Sequence, residues 1–329
     1  MRIMARPRAL VAVLAACLLL AGCGSGPSQV GTAVYLGGRT VSIDRVQQLI
    51  DKAVQEQPAA QDLARQHKLD QLGREVVRQL IVHQTVSQTA EMDGVGIAPQ
   101  QIEQVLAQNP FATAVSTANT DPSQLAQQIV YRVRDPREVI SDQLLLQSLG
   151  AQYFGKMTVT FDYTSVVSDD GGANPVTMRE KAFAKAERMA ADPGAAAQVI
   201  KADAAAGQET GVDEKVPAVQ APDLAGMVLF GVPAGTVVAF QPSAAQPVWI
   251  VAIVRGRDLT TQQSVDQTSE PTSTQLAGVG LRLLQTYVDQ AGLKVNPRYG
   301  VWDPASLTVV ANEGETTGLA LPVKGIAQP

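Results

Sequence analysis

The stretch TVTFDYTSVV, residues 158–167, decides the fold class, because β-branched and aromatic residues replace the helical patterns that precede it. Such residues favour extended chain over helix, so we predict a strand here. A second stretch, VWIVAIV at residues 248–254, is almost continuously apolar, which is typical of a strand in the centre of a sheet. The sequence therefore predicts an α+β protein whose helical first half is followed by a unit containing a sheet.

Upstream of residue 158, apolar residues recur every three or four positions, which predicts amphipathic helices. Before them, residues 32–41 predict a β-hairpin with Gly37 and Gly38 in its turn, and Ser42 is a suitable N-cap for a helix from Ile43 to about Gln57. Further helices are predicted at residues 60–92, 97–106, 122–133 and 136–154.

Downstream of residue 167, helices and short strands alternate with polar segments. The predicted elements are an Ala-rich helix at 177–206 broken at 192–194, a loop, a short helix at 224–230, a strand at 237–240, a helix at 276–292 and a strand at 307–311. Residues 259–275 are predicted to be a polar linker, and residues 312–329 a disordered tail.

Residues 1–22 have the pattern of a cleavable signal peptide. Three arginines precede an uncharged apolar run at 9–20, which is shorter than the roughly 20 residues of a transmembrane helix. The run ends in LAGC, residues 20–23, which resembles the lipobox of bacterial lipoproteins and makes Cys23 the lipidation site. Two acyl chains, at ~0.8 kcal/mol per buried CH₂, anchor a protein stably. The alternative is an ordinary signal peptide with an incidental cysteine.

If Cys23 carries lipid, residues 23–31 form a small, polar tether on the extracytoplasmic face of a cell membrane. The chain has two cysteines, and Cys17 leaves with the signal, so a disulfide within the mature chain is excluded. A net charge of −5, with 26 basic and 31 acidic residues, makes nucleic acid an unexpected partner. Apolar residues make up 45% of the chain, which is enough for a folded core.

Few residues are candidates for chemistry. His83 lies on the apolar stripe of the helix predicted at 60–92, so we expect a hydrogen-bonded structural histidine, and we expect His67 to be a surface residue. Asp162, Asp169 and Asp170 do not have the spacing of a calcium loop, and we expect a solvated turn. No catalytic, cofactor-binding or metal-ligating residue is predicted.

Residues 32–154 also have a characteristic order. A hairpin with its glycine turn and Ser42 leads into an amphipathic helix, and a later helix breaks at residues 91–97 before another begins near Gln101 and Ile102. This order resembles the SurA and PrsA foldases of bacterial envelopes. The resemblance implies a SurA N-terminal-like helical chaperone domain at 32–156, which the helix and strand at 276–311 return to complete.

Residues 157–258 contain a strand, an Ala-rich helix, Leu229-Phe230 with a turn at 233–235, and further strands. This order resembles a parvulin proline-isomerase domain. Parvulins carry a histidine in the first strand and another in the last, and those positions fall here near Ser165 and at Val248 or Trp249. Both histidines of this chain lie elsewhere, so the resemblance implies a degenerate parvulin-like domain without the chemistry.

Together the resemblances imply a membrane-anchored extracytoplasmic chaperone that binds unfolded or newly exported polypeptides without catalysis or cofactor. Two alternatives remain. One is an active peptidyl-prolyl cis-trans isomerase with a divergent pocket. The other is a solute-binding lipoprotein of a transporter, although aromatic residues are only 4% of the chain and the first half is helical, whereas such proteins usually alternate βαβ units.

Overall fold

A computed structural model describes residues 31–115, 120–167, 175–243, 248–263 and 270–326. The predicted signal peptide, most of the tether and the lipidation site at Cys23 lie outside the described residues, as do Asp169 and Asp170. The chain is 53% helical and 20% strand, which confirms the α+β class. Within the described ranges, no helix has both the length and the apolar character needed to cross a bilayer.

The first part of the fold begins with a hairpin of β1 (Thr32–Leu36) and β2 (Arg39–Ser42). Its turn uses positive φ at Gly37 and Gly38, and the Ser42 side chain accepts a hydrogen bond from the Arg45 N–H at 3.1 Å. Both features confirm the predictions. The helices are α1 (Ile43–Glu56), α2 (Pro58–Arg65), α3 (Leu69–Met92), α4 (Pro99–Ala107), α5 (Pro122–Val133) and α6 (Pro136–Phe154).

The prediction of one continuous helix over residues 60–92 is wrong. The structure has two helices, α2 and α3, separated at Gln66–Lys68. His67 has a φ of 57°, in the left-handed region, which histidine enters more readily than most residues. The Lys68 N–H donates to the Leu63 carbonyl at 2.8 Å, so the last carbonyls of α2 are satisfied at a true helix end.

The second part contains five α-helices and eight strands within the described residues. The helices are α7 (Pro175–Met189), α8 (Ala195–Ala205), α9 (Pro222–Ala225), α10 (Val228–Gly231) and α11 (Ser273–Ala291). The strands are β3 (Thr158–Val166), β4 (Thr210–Pro217), β5 (Thr236–Phe240), β6 (Trp249–Asp258), β7 (Lys294–Val295), β8 (Val301–Asp303), β9 (Thr308–Val310) and β10 (Gly318–Pro322).

Five strands form an antiparallel sheet in the order β10-β5-β6-β3-β4. Alternate residues point to opposite faces. On one face, Val251 and Ile253 pack with the buried residues of α7 and α8. On the other, Ala252 and Val254 pack with the buried residues of α6 and α11. β6 has a strand on each side, which confirms its predicted central place.

Two strands of this sheet were not predicted. β4 occupies part of the segment expected to be a loop, and β10 lies in the predicted disordered tail, so both expectations are wrong. β10 pairs with β5 residue by residue, from Gly318 opposite Phe240 to Pro322 opposite Thr236. A Cβ at Gly318 would lie 2.6 Å from the Ala239 carbonyl oxygen, so glycine permits the close pairing. Pro322 suits an edge strand, because it donates no hydrogen bond.

A strand from the C-terminal part pairs with the opening hairpin, but it is not the predicted one. Gly292, with φ 65°, ends α11 and turns the chain into β7, which pairs with β1. The predicted strand at 307–311 corresponds to β9, which pairs with β8 instead. Asn296 adds a bond from its side-chain amide to the Thr32 carbonyl at 2.8 Å. Strand 307–311 therefore does not pair with the hairpin, although Val309 of β9 packs in the apolar core of the first part. The return of residues 276–311 to complete the first domain stays a prediction.

The helix α11 packs against α6 at very short backbone separation. A Cβ at Gly280 would lie 2.0 Å from the Leu146 carbonyl oxygen, and a Cβ at Gly150 would lie 1.9 Å from that of Leu276. One apolar core cluster includes Val86 of α3, Leu149 of α6, Val254 of β6 and Leu283 of α11. The apolar core is thus continuous across residues 156 and 258. The domain boundaries predicted at these two residues stay predictions.

Candidate functional site

A cavity of about 480 Å³ opens between α3, α5, α6 and the first turns of α11. Its volume lies within the range of about 300–1,000 Å³ that is typical of ligand pockets. We call it the helical cleft. Its apolar lining includes Val82, Val139, Leu146 and Leu281. Its polar lining consists of Arg78, Gln79, Gln127, Tyr131, Arg134, Asp142, Gln143, Gln147, Ser273 and Thr274.

The chain break between α5 and α6 places Arg134 in the wall of the cleft. Pro136 disfavours helical geometry at Asp135, which is extended (φ −62°, ψ 122°) and caps α6 by accepting from the Arg137 N–H at 2.8 Å. Arg134 itself is extended (φ −72°, ψ 167°). Its side chain is only 3% exposed, so the guanidinium is held among the helices.

A buried carboxylate neutralises this arginine. Asp142 of α6, 5% exposed, accepts a hydrogen bond from Arg134 Nη2 at 2.8 Å, and its other oxygen lies 2.7 Å from His83 Nδ1 of α3. The hydrogen bond to Asp142 raises the pKa of His83 above its ordinary value, and burial opposes it. One carboxylate therefore joins α3, α6 and the link between α5 and α6.

The network continues along α3 from Arg134. Gln79, 2% exposed, accepts from Arg134 Nη1 at 3.3 Å and donates to Glu75 Oε1 at 2.8 Å. Glu75 accepts two hydrogen bonds of 2.7 Å from Arg78. Burial alone would lower the pKa of Arg78, but its charge interactions and hydrogen bonds with Glu75 and Tyr131 together raise this pKa. Both arginines of the cleft thus have a carboxylate partner, so little net charge remains for a ligand to neutralise.

A second group of polar side chains in the cleft makes no hydrogen bonds within the described part of the chain. Gln143 and Gln147 are half-buried on α6, and Ser273 and Thr274 are exposed in the first turn of α11. Across the described ranges, none of these four side chains makes a hydrogen bond. The cleft therefore offers amide donors and acceptors beside apolar surface.

The residues singled out from the sequence have the following places. His83 is hydrogen-bonded within the helices and His67 is exposed, as predicted. Asp162 is not in a solvated turn: it is 4% exposed, forms an ion pair with Arg255 at 2.6 Å and accepts from the Asp213 N–H at 2.8 Å. Among the described residues, no group of three or more His, Cys, Asp or Glu could hold a metal ion.

The positions where the parvulin resemblance predicts histidines, near Ser165 and at Val248 or Trp249, lie on or beside the neighbouring strands β3 and β6. Ser165 of β3 pairs with Ile250 of β6, and Val166 pairs with Trp249. Ser165 is 1% exposed and its Oγ has no hydrogen-bond partner among the described residues, and Trp249 is 6% exposed. None of these four side chains is an imidazole. An ion pair does lie beside Ser165, because Lys185 Nζ is 3.4 Å from the Ser165 carbonyl oxygen and 2.7 Å from the Asp203 carboxylate.

Sequence reasoning missed most of the cleft, because its walls come from helices far apart in the chain. One signal was available on α3, where Glu75, Gln79 and His83 recur at intervals of four. Polar residues at that spacing share one face. Gln143 and Gln147 of α6 have the same spacing, but the sequence does not indicate that Arg134 and Asp142 are partners.

Comparison with known proteins finds no matching family model, no similar curated protein and no solved structure that matches this chain. The cleft's own side chains therefore indicate what it can bind. Amides and hydroxyls that lack partners, next to apolar surface and compensated charge, suit a neutral ligand rich in hydrogen-bonding groups.

Proposed function

We propose that this chain is a membrane-anchored extracytoplasmic chaperone that binds unfolded or newly exported polypeptides without catalysis. The helical cleft is the observation that carries the proposal. Its unengaged amides beside Val82, Val139 and Leu146 match an unfolded chain, which exposes main-chain N–H and C=O groups together with apolar side chains.

The arrangement of elements supports the proposal. The opening hairpin, the helix capped by Ser42 and the following helices have the order that resembles SurA and PrsA. β3 and β6, which correspond to the first and last strands of a parvulin, are neighbours in the sheet. We assign the sheet-containing part as a degenerate parvulin-like domain on this basis.

The absence of catalysis is proposed from the residues at the histidine positions. Ser165 and Trp249 cannot supply the two facing imidazoles of a parvulin. The membrane attachment is proposed from the LAGC pattern, with the lipid on Cys23.

An aggregation assay tests the function. A lipid-free version of residues 23–329 with Cys23→Ser should suppress light scattering by a chemically unfolded protein on dilution, without ATP. An equal concentration of serum albumin serves as the control for non-specific crowding. No suppression beyond that of albumin would refute the chaperone proposal.

A proline-isomerisation assay tests the absence of catalysis. The same protein should leave cis-trans exchange of an X-Pro peptide at its uncatalysed rate, tens to hundreds of seconds. Clear acceleration would replace this part of the proposal with an isomerase that uses a divergent pocket.

A further inference from the structure

We infer that the helical cleft binds one extended segment of a polypeptide through its main chain, with Gln143 and Gln147 hydrogen bonding to alternate peptide groups. This inference rests on the proposed function and narrows it, because it defines what the client presents: an extended backbone rather than a particular sequence.

The spacing of the two glutamines carries the inference. Gln143 and Gln147 are four residues apart on α6, so their side chains lie on one face about 6 Å apart along the helix axis. In an extended chain, peptide groups that point to the same side recur every two residues, at about 6.6–6.8 Å. One strand can therefore meet both amides in register.

The chemistry of the two side chains fits the same partner. A carboxamide offers two N–H donors and an acceptor oxygen, so it can bond to both the N–H and the C=O of a peptide unit. Both amides are half-buried and make no hydrogen bond in the described part of the chain, so no internal bond has to be broken when a client binds. Ser273 and Thr274 offer hydroxyls on the facing helix.

The rest of the lining explains why binding would tolerate many sequences. Val82, Val139 and Leu146 provide apolar surface for side chains that point away from the glutamines. Arg78 and Arg134 already have Glu75 and Asp142 as partners, so the cleft does not require a charged client residue. Binding through main-chain bonds and apolar contact should also depend weakly on salt.

The probe is a fluorescein-labelled nine-residue peptide of alternating leucine and serine, compared with a version N-methylated at alternate residues. Binding to the full mature chain is measured by fluorescence anisotropy. N-methylation removes peptide N–H donors but keeps the side chains. We expect the methylated peptide to bind the wild-type protein about tenfold more weakly.

The double variant Gln143→Ala/Gln147→Ala should bind the unmodified peptide about tenfold more weakly and should lose the discrimination against methylation. Gln100→Ala/Gln104→Ala on α4 is a matched control, because these glutamines are also four residues apart and are exposed away from the cleft. Gln147→Glu, which keeps the shape but removes the donors, provides a second variant with little effect on folding. Melting temperatures of all variants verify that they fold.

Several results would overturn the inference. Equal binding of the two peptides by the wild-type protein would show that the cleft does not recognise the peptide main chain. Equal losses of affinity in the cleft and control variants would show the same. If wild type suppresses aggregation but does not bind the peptide, the inference fails while the chaperone proposal stands. If it does neither, both fail.

Discussion

His83 and Asp142 lie 59 residues apart in the chain, and a 2.7 Å contact joins Nδ1 of the histidine to Oδ1 of the aspartate. Arg134 bonds to the other oxygen of the same carboxylate. A single buried carboxylate thus holds together three segments of the wall of the helical cleft. Of the two partners, His83 is the one whose pKa the shared carboxylate raises above its ordinary value, through the hydrogen bond to Asp142.

The first prediction concerns pH. Because the Asp142 hydrogen bond raises the pKa of His83 in the folded protein, its protonation stabilises the fold. This contribution is fully present below the unfolded value of about 6.5 and is lost as pH rises through the higher folded value. His83→Gln should therefore lower the melting temperature at pH 5.5 more than at pH 8.5. A larger loss of melting temperature at pH 8.5 than at pH 5.5, or an equal loss at both pH values, would contradict this prediction.

The second prediction removes the shared carboxylate. Asp142→Ala leaves Arg134 buried and without its main partner, and breaking a buried ion pair in this way typically costs about 3–5 kcal/mol. Urea unfolding would measure the loss. Glu103→Ala, which removes the partner of the exposed Arg137, is the control and should leave the unfolding midpoint unchanged. Similar losses of stability in the Asp142→Ala and Glu103→Ala variants would show that burial does not determine the free-energy cost of removing the carboxylate.

The third prediction tests the contact between α6 and α11. Gly280→Ala places a methyl group 2.0 Å from the Leu146 carbonyl oxygen, so the helices must separate. We expect a loss of about 1–3 kcal/mol, as is typical of overpacking. Gly278→Ala on the same helix meets its nearest atom at 3.6 Å and should be neutral or slightly stabilising. Calorimetry of both variants measures whether close packing or helix propensity determines the change in stability at each glycine.

The fourth prediction concerns β10. Deleting residues 318–329 exposes the edge of β5, whose residues Thr236–Phe240 are all buried. Exposed apolar edges promote pairing between molecules, so the truncated protein should melt earlier and self-associate in light scattering. Deleting residues 327–329 alone is the control and should change neither property. A truncated monomer with unchanged melting would mean that β10 contributes little to the sheet.

The fifth prediction concerns the lipid anchor. Cys23→Ser should abolish incorporation of labelled palmitate in a bacterial host, because the last position of the LAGC pattern no longer has a thiol to carry the diacylglycerol. Cys17→Ser, which alters the other cysteine within the predicted signal, should still be labelled. Labelling of the Cys23→Ser protein would refute the lipobox interpretation.

Local patterns predicted much of the fold. Pro122 and Pro136 begin α5 and α6 where the sequence placed them, because proline suits the first turn of a helix and an aspartate precedes each one as N-cap. β7 and β10 were not predicted. β7 has two residues, too few for a periodic pattern, and β10 ends at a proline that argues against a strand. Both depend on partners more than 75 residues away.

The helical cleft was beyond sequence reasoning for the same physical reason. Each helix showed its own apolar stripe, but the spacing of α6 relative to α11 is set by Gly150 and Gly280, whose close contacts are with the other helix. The partnership of His83 with Asp142 likewise depends on how α3 packs against α6. The sequence predicted that His83 is hydrogen-bonded, but it could not identify the partner.

The pairing of β1 with β7 has a consequence for the order in which the protein becomes complete. The Thr32 carbonyl accepts a hydrogen bond from the side-chain amide of Asn296, 264 residues later in the chain. At a synthesis rate of about 5–20 residues per second, Asn296 emerges on the order of tens of seconds after Thr32. Until then the hairpin has only two strands, a marginal structure in water. A chain that ends before Lys294 leaves one edge of β1 permanently unpaired. Proteases should therefore cleave such truncated chains more readily than the full-length protein, and strands of other molecules should pair with them more readily.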